Sequence, residues 1–122
     1  MVTGTDIAWA AGFLEGDGCV SFFSGSPSAE AGQATTEPLE KLQRLFGGSI
    51  YFYPKGKTCY KPGAPFWVWR VNGARAVGLL LTLYTFMSSR RKRQIEKALT
   101  AWKTLKTRSQ AQRERQAKRY GL

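Results

Sequence analysis

Apolar residues recur along the chain at the spacing of a helix and then at that of a strand, several times over. This pattern predicts an α+β arrangement in the order helix, strand, helix, hairpin, helix, helix. A further strand at about residues 29–34 has poor strand propensity, because alanine, glycine and glutamate dominate it. The other predicted segments are helix 7–15 after a cap at Thr5 or Asp6, strand 19–23, a helix capped by Thr36 and ended by Gly47, strands 49–53 and 66–71, helix 74–87 and a helix from Ser88 or Ser89 onward.

The apolar faces of these segments predict the core. In strand 66–71 the side that carries Trp67, Trp69 and Val71 is expected to face inward, because tryptophan buries the most apolar area. The helices add further core positions at helical spacing, namely Leu39, Leu42, Leu45 and Phe46, then Val77, Leu80, Leu81 and Tyr84, and finally Ile95, Leu99, Trp102 and Leu105.

The first helix carries a second stripe made of very small residues, Ala8, Gly12 and Gly16, beside its apolar side of Ile7, Ala11 and Leu14. A glycine in mid-helix costs about 1 kcal/mol relative to alanine, so Gly12 indicates a packing role, most simply a second helix that crosses there. Gly16 and Gly18 flank Asp17 and end the helix. A carboxylate at the electronegative C-terminus of a helix is poorly placed unless a cation joins it.

Length and composition narrow the class of protein. With 122 residues the chain is one domain by size, and two cysteines and no histidine exclude a thiolate metal site and histidine-based nucleophilic or zinc chemistry. Twelve of the nineteen basic residues follow Ser88, against two of the eight acids, so ten of the eleven net positive charges lie at this end. Such a charge distribution favours a polyanion as binding partner, and nucleic acid is favoured over a membrane surface. Because no apolar run is long enough to span a membrane and no signal sequence opens the chain, a soluble intracellular protein is expected.

The stretch Ala10–Gly18, AAGFLEGDG, resembles the LAGLIDADG motif of homing endonucleases. In that family the motif helices of two domains or subunits pack together, and the final acid of each binds the catalytic metal. The resemblance covers roughly Thr5 to Leu99 and implies an αββαββα domain, with a four-stranded antiparallel sheet and helices on one face, which supplies the weak strand 29–34. We therefore predict an endonuclease-like domain at 1–106 and a basic extension at 107–122 that frays as apolar residues vanish.

Because only one motif is present, the resemblance implies a homodimer through the motif helix, with Ala8, Ala11, Gly12 and Glu15 at the interface. Asp17, with Gly16, would bind Mg²⁺, for which Mn²⁺ or Ca²⁺ can substitute, and the metal would polarise the scissile phosphate and help generate hydroxide. The alternative for Asp17 is a cap of the Gly-Asp-Gly turn. In the motif the position of Glu15 faces the partner helix or its end, so structural capping or polar bridging is the favoured role for Glu15.

Two further site residues follow from the resemblance. Gln33, near the end of the second strand, would orient the attacking water, or else is a solvated strand residue. Arg91, three residues before Gln94, takes the position of a family lysine and would stabilise charge on the phosphate, although arginine cannot exchange a proton. A shift of one residue would assign this position to Arg90 or Lys92. Simple phosphate contacts by the whole basic cluster Arg90–Arg93 explain the pattern equally well.

The free face of the sheet is the predicted DNA-binding surface, since paired strands fit the major groove. Its candidate residues are Ser21, Gln33, Tyr51, Tyr53, Lys55, Lys57, Lys61 and Arg70, joined by Arg90, Lys92 and Arg93 for phosphates.

The sequence thus predicts a site-specific homing endonuclease that makes a metal-dependent double-strand cut in palindromic or near-palindromic double-stranded DNA. The resemblance implies cleavage across the minor groove with short 3′ overhangs, an intron or similar mobile element as the genetic setting, and the cytoplasm or nucleoid of a bacterial or phage host, or an organelle, as the location. Two alternatives stay open, a catalytically silent relative that binds DNA or RNA as a maturase or regulator, and an unrelated basic α+β nucleic-acid-binding module.

Overall fold

The computed structural model describes residues 1–54 and 64–121, apart from the side chains of residues 106 and 107. Its elements are α1 (Gly4–Asp17), β1 (Gly18–Phe23), β2 (Ser26–Gln33), α2 (Glu37–Phe46), β3 (Ser49–Tyr53), β4 (Phe66–Asn72), α3 (Gly73–Leu83), a 3₁₀ turn (Tyr84–Phe86) and α4 (Ser89–Arg119). The predicted fold class is confirmed, because these elements form an α+β domain with a four-stranded antiparallel sheet.

The sheet has the strand order β1-β2-β4-β3, so the two central strands come from different hairpins. Gly18 pairs with Ala31, Ala31 with Trp69, and Trp69 with Ile50 across the four strands. Because residues directly opposite one another lie on the same face, this row and the rows two residues away define the face that packs against the helices. The opposite face is the one that sequence analysis expected to be free.

The core lies between that sheet face and the helices. Trp69 and Val71 are buried in it, as predicted, and the indole Nε1 of Trp69 donates a 2.8 Å hydrogen bond to the Gly47 carbonyl oxygen. The free face is not uniformly open, since Phe66 and Val68 of the same strand are also buried. The ring of Tyr53 stacks on Phe66 with centroids 5.1 Å apart.

The strand with poor propensity, β2, forms because its small residues suit its position. Ala29 and Ala31 are both buried, and α3 packs across β2 on the helical face. Alanine side chains allow a helix to approach the sheet closely, so tertiary packing overrides the weak local preference.

One predicted helix cap was wrong and the other was correct in position. The N-cap of α1 is Thr3, whose side chain accepts from the Asp6 N–H at 3.1 Å while the Asp6 carboxylate accepts from the Thr3 N–H at 3.0 Å. This reciprocal pair starts the helix earlier than Thr5 or Asp6 would. Thr36 is the N-cap of α2, but its backbone is already helical and its side chain makes no capping hydrogen bond.

The last two helices also depart from the prediction. Helix α3 ends at Leu83 in a 3₁₀ turn, and Leu81, expected in the core, is 59% exposed. The expected fraying after Lys106 is not seen, because α4 continues to Arg119. Residues 106–119 are rich in Gln, Lys, Arg and Ala, which have high intrinsic helix propensity. In the described part of the chain, no helix is both long and apolar enough to cross a membrane.

Candidate active site

Asp17 lies at the junction between the motif helix and the sheet. It is the last residue of α1, its side chain is exposed, and the next residue begins β1. Gly18 closes the helix by donating its N–H to the Leu14 carbonyl oxygen, and a Cβ at Gly18 would lie 2.5 Å from that oxygen. Only glycine therefore fits at the junction without moving the backbone, and this tight turn fixes the backbone position of Asp17.

Glu15 links this junction to the start of α4. Its carboxylate accepts hydrogen bonds from the Ser88 backbone N–H at 2.6 Å and from the Ser88 hydroxyl at 3.0 Å. The backbone N–H of Ser88 is the main reason that the pKa of Glu15 lies below its usual value. Ser88 is itself the N-cap of α4, so Glu15 acts as a polar bridge between the two helices.

Arg91 caps the end of the motif helix from the other side. Its guanidinium donates to the carbonyl oxygens of Gly18 at 2.7 Å and Glu15 at 3.1 Å, and its Nε is 3.6 Å from the Glu15 carboxylate. Gln94 accepts a further hydrogen bond at 3.0 Å, and Arg91 is only 6% exposed. A cation at this position neutralises the electronegative helix end beside Asp17.

Arg91 uses its donors for a structural purpose that sequence analysis missed. Its hydrogen bonds engage the backbone carbonyl groups of Glu15 and Gly18, which flank Asp17 in the chain, and the Gln94 side-chain amide. Its role toward a phosphate stays a prediction. The cations of the cluster that are turned outward are Arg90 and Arg93, which are exposed. Lys92 is half-buried, with its Nζ 5.4 Å from the centroid of the Tyr84 ring.

Gln33 is at the same end of the sheet as Asp17. Gly18 pairs with Ala31, so Gln33 lies two residues further along β2, beyond the start of β1. It shares a face with Ala29 and Ala31, which is the helical face rather than the free one. This position suits a residue at the edge of the active site better than one that reads bases from the free face.

The small-residue stripe of α1 is uncovered. Ala8, Gly12 and Gly16 are exposed, and a Cβ built on Gly12 or Gly16 meets no atom within 4 Å in the described part of the chain. Ala11, in contrast, is 2% exposed and belongs to the core. Its predicted place at a dimer interface is wrong, because it lies on the helix side that packs against its own chain.

Four predicted DNA-binding residues share the free face of the sheet. The register places Ser21, Tyr51, Tyr53 and Arg70 on the side opposite the helices. Arg70 pairs with Glu30 on the neighbouring strand at 2.8 Å and lies 5.3 Å from the centre of the Tyr51 ring. Ser21, Glu30 and Arg70 also line a groove of about 640 Å³ on this face. Lys55, Lys57 and Lys61 lie outside the described residues.

The oxygen donors near Asp17 fit a hard cation only in part. One chain offers the exposed Asp17 carboxylate and the backbone at Gly16, while the Glu15 carboxylate is engaged by Ser88. Across residues 1–54 and 64–121, no three acidic, histidine or cysteine side chains converge on one point. Because Mg²⁺ and Ca²⁺ take six or more oxygen ligands, a site here needs oxygens from a second copy, from phosphate or from water.

Comparison with solved structures identifies the fold. The homing endonuclease I-CvuI in complex with its target in the presence of 2 mM Ca matches with a TM-score of 0.64 and 23% identity, over 86% of this chain and 70% of that one. I-CvuI in complex with an I-CreI target in the presence of 2 mM Mg matches with a TM-score of 0.57 and 20% identity, over 80% of this chain and 66% of that one. The group I intron-encoded homing endonuclease I-CeuI complexed with DNA matches with a TM-score of 0.65 and 13% identity, over 88% of this chain and 58% of that one.

This chain therefore has the LAGLIDADG homing endonuclease fold that the motif resemblance implied. No protein-family model and no curated protein matches the sequence. The reading as an unrelated basic module, in which the Gly-Asp-Gly stretch is a coincidence, loses its basis, because motif and fold agree.

Proposed function

We propose that the chain is a divalent-metal-dependent homing endonuclease that cuts both strands of a palindromic or near-palindromic DNA site as a homodimer. The observation that carries the proposal is the exposed carboxylate of Asp17 at the end of a helix whose small-residue stripe is uncovered. The fold shared with DNA-bound homing endonucleases supports it. Such an enzyme would act on DNA inside a cell, for example on a site into which a mobile intron inserts.

The homodimer supplies what one chain lacks. If two copies of α1 cross at Gly12, two Asp17 carboxylates come to the same two-fold axis. Together with phosphate oxygens and water, they offer the oxygen set that a hard cation requires. The same symmetry presents one copy of the site to each DNA strand, so one dimer can cut both.

Each side chain at the junction has a distinct part in this reaction. Asp17, with the backbone at Gly16, would hold Mg²⁺, which polarises the scissile phosphate and activates water when bound. Glu15 and Arg91 fix the end of α1 and so the direction of the Asp17 carboxylate. Gln33 would orient the attacking water, and Arg90 and Arg93, which are exposed at the start of α4, would hold the phosphate backbone.

The free face of the sheet would read the sequence. Its central feature is Arg70, which can leave Glu30 and donate two hydrogen bonds to guanine, while Glu30 can accept from cytosine. Tyr51, Tyr53 and Ser21 would complete the surface on either side. Lys55, Lys57 and Lys61 are proposed to contact phosphates.

A cleavage-site selection from a random duplex library with Mg²⁺ tests the function. We expect the wild-type chain to select a palindromic site and to cut it only with a divalent metal. Asp17→Asn should bind the same site but cut at least about a thousandfold more slowly, because the metal loses its charged ligand. Glu40→Gln, which removes an exposed acid on α2, is the matched control and should cut normally. Cleavage by Asp17→Asn at the wild-type rate would refute the proposal.

The second candidate is a catalytically silent protein that binds DNA or RNA with the same sheet. It is favoured by Arg91, because an arginine occupies the lysine position and its donors are engaged by carbonyl groups. Sequence-specific binding without cleavage in Mg²⁺, Mn²⁺ or Ca²⁺ would support this candidate instead.

A further inference from the structure

The distal part of α4, residues 106–119, leaves the body of the domain, and we call it the α4 arm. Arg91 near the start of α4 contacts Gly18 at the start of β1, and Ala98 and Ala101 line a groove with Phe22 further along β1. Leu105 lies beside the turn between β1 and β2, because a Cβ built on Gly25 in that turn would lie 3.0 Å from the Leu105 side chain. The helix thus runs along β1 from the Asp17 end to the opposite end and continues beyond it.

The arm is long and exposed. Its fourteen residues extend about 21 Å at the rise of an α-helix. Of the residues from 108 to 119, all are exposed except Ala117, which is half-buried. A helix that is polar on every side gains little from packing against its own chain, so the whole surface of the arm is open to a partner.

The composition of the arm selects the partner. Six of its fourteen residues are basic and one is acidic, namely Lys106, Arg108, Arg113, Arg115, Lys118 and Arg119 against Glu114. The bases lie on several sides of the helix rather than opposite an apolar face. Helices that lie in a membrane surface need large apolar residues on one side, and this arm has none. The partner that fits this charge is a polymer with a row of phosphate groups.

We propose that the α4 arm binds the phosphate backbone of duplex DNA beyond the segment that the sheet covers. This inference rests on the proposed DNA-binding function of the sheet. Because the arm starts about 21 Å from the Asp17 end, its contacts would lie in the outer flank of each half-site. Its length corresponds to about six base pairs at 3.4 Å each. The arm adds affinity and lengthens the protected site without reading sequence.

The test removes charge from the full-length chain without breaking the helix. In one variant Arg113, Arg115, Lys118 and Arg119 are all replaced by glutamine, which has nearly the helix propensity of arginine. In the control variant Arg113, Arg115 and Arg119 are replaced by lysine, so the charge stays. Both variants are checked by circular dichroism, and their DNA affinity is measured over a range of salt concentrations beside a hydroxyl-radical footprint.

We expect the glutamine variant to lose at least about tenfold in affinity at about 0.1 M salt, equally for target and unrelated duplexes. The slope of log affinity against log salt should become shallower by up to about 3.6 per protomer, which is four phosphate contacts at about 0.9 each. Because Lys106 and Arg108 remain and residues 113–119 extend about 10 Å, the footprint should shorten by about three base pairs at each end. The lysine variant should match the wild type in all three measurements.

An unchanged salt slope and footprint in the glutamine variant would overturn the inference. So would a loss of binding to single-stranded RNA or to vesicles of anionic lipid with duplex affinity unchanged, since the arm would then serve another partner. Failure of the proposed function looks different, because the wild-type chain itself would then select no duplex site.

Discussion

At the scale of single residues, the junction at Asp17 is held by contacts that span most of the chain. Glu15 accepts from Ser88, and Arg91 donates to the carbonyl groups on both sides of Asp17. These contacts bring a helix C-terminus and a helix N-terminus together, with opposite partial charges facing each other. The residue that we propose to bind the metal, Asp17, is thereby placed at a rigid junction.

Glu15 makes the stability of this junction depend on pH. Its pKa is lowered below the usual 4.5, chiefly by the Ser88 N–H, so its contribution is present above that value and is lost as pH falls through the lower folded-state pKa. We expect Glu15→Gln to lower the urea midpoint at about pH 7 and to reduce the fall in midpoint between about pH 5 and pH 3. The Glu40→Gln control should keep the wild-type profile, and a Glu15→Gln profile identical to it would contradict the bridge.

We predict that Arg91 contributes mainly to the stability of the fold and not to phosphate binding. Arg91→Lys keeps the charge but loses the fork that spans two carbonyl groups, so we expect unfolding free energy to fall by about 1–3 kcal/mol. Arg90→Lys, one residue away and exposed, should change it by less than about 0.5 kcal/mol. Chemical denaturation of both variants decides between the roles. Unchanged stability of Arg91→Lys, with weakened DNA binding, would show that Arg91 is a phosphate ligand.

The sequence indicates which residues of the site carry charge but not where they point. Asp17 and its two glycines follow from a local pattern, and the register of β1 and β2 places Gln33 nearby. The backbone carbonyl partners of Arg91 are 73 and 76 residues away, so no local pattern predicts that it turns inward. A buried arginine in a basic cluster looks the same in sequence as an exposed one.

At the scale of elements, α1 is a helix with two contact sides. One side packs against its own chain through Ala10, Ala11 and Leu14, and the other presents Ala8, Gly12 and Gly16 without a covering atom in the described part of the chain. A soluble helix with a single packing side has no need of glycine in its middle. The second side is therefore the surface through which two copies are proposed to meet.

Gly12→Leu tests that surface. Nothing in the described chain obstructs the new side chain, so we expect the monomer to gain about 0.5–1 kcal/mol from helix propensity while the dimer weakens at least about tenfold. Gly78→Leu on α3 is the matched control, since Gly78 is also an exposed helical glycine without neighbours within 4 Å. Sedimentation velocity with and without DNA gives the readout. Equal dimerisation by both variants would place the interface elsewhere.

Several elements show where local pattern and tertiary context disagree. The order of helices and strands follows from periodicity, but β2 contradicts its own propensity because α3 packs on its alanines. The start of α1 was predicted late because Asp6 looks like a cap, whereas it is the third residue of a box that Thr3 begins. The arm of α4 forms a helix from local propensity, although it lacks the apolar face by which buried helices are found.

At the scale of the whole molecule, the charge distribution follows the proposed assembly. The two-fold axis would pass near α1 and Asp17, the sheets would extend outward along the DNA, and the basic arms would lie at the far ends. Nearly all of the net charge of +11 belongs to the C-terminal part of the chain that starts beside the site and ends in the arm. The affinity for DNA should therefore depend steeply on salt concentration, even if the sheet alone recognises the DNA sequence.

The most direct measurement is a crystal structure of the full-length chain on its selected DNA with Ca²⁺, an ion that the Asp17 site would hold. We predict two copies in contact through Gly12, and Ca²⁺ within about 2.3–2.6 Å of an Asp17 carboxylate oxygen and a phosphate oxygen. A complex in which the copies meet through another surface, or in which the metal binds without Asp17, would contradict the central claim that paired motif helices create the active site.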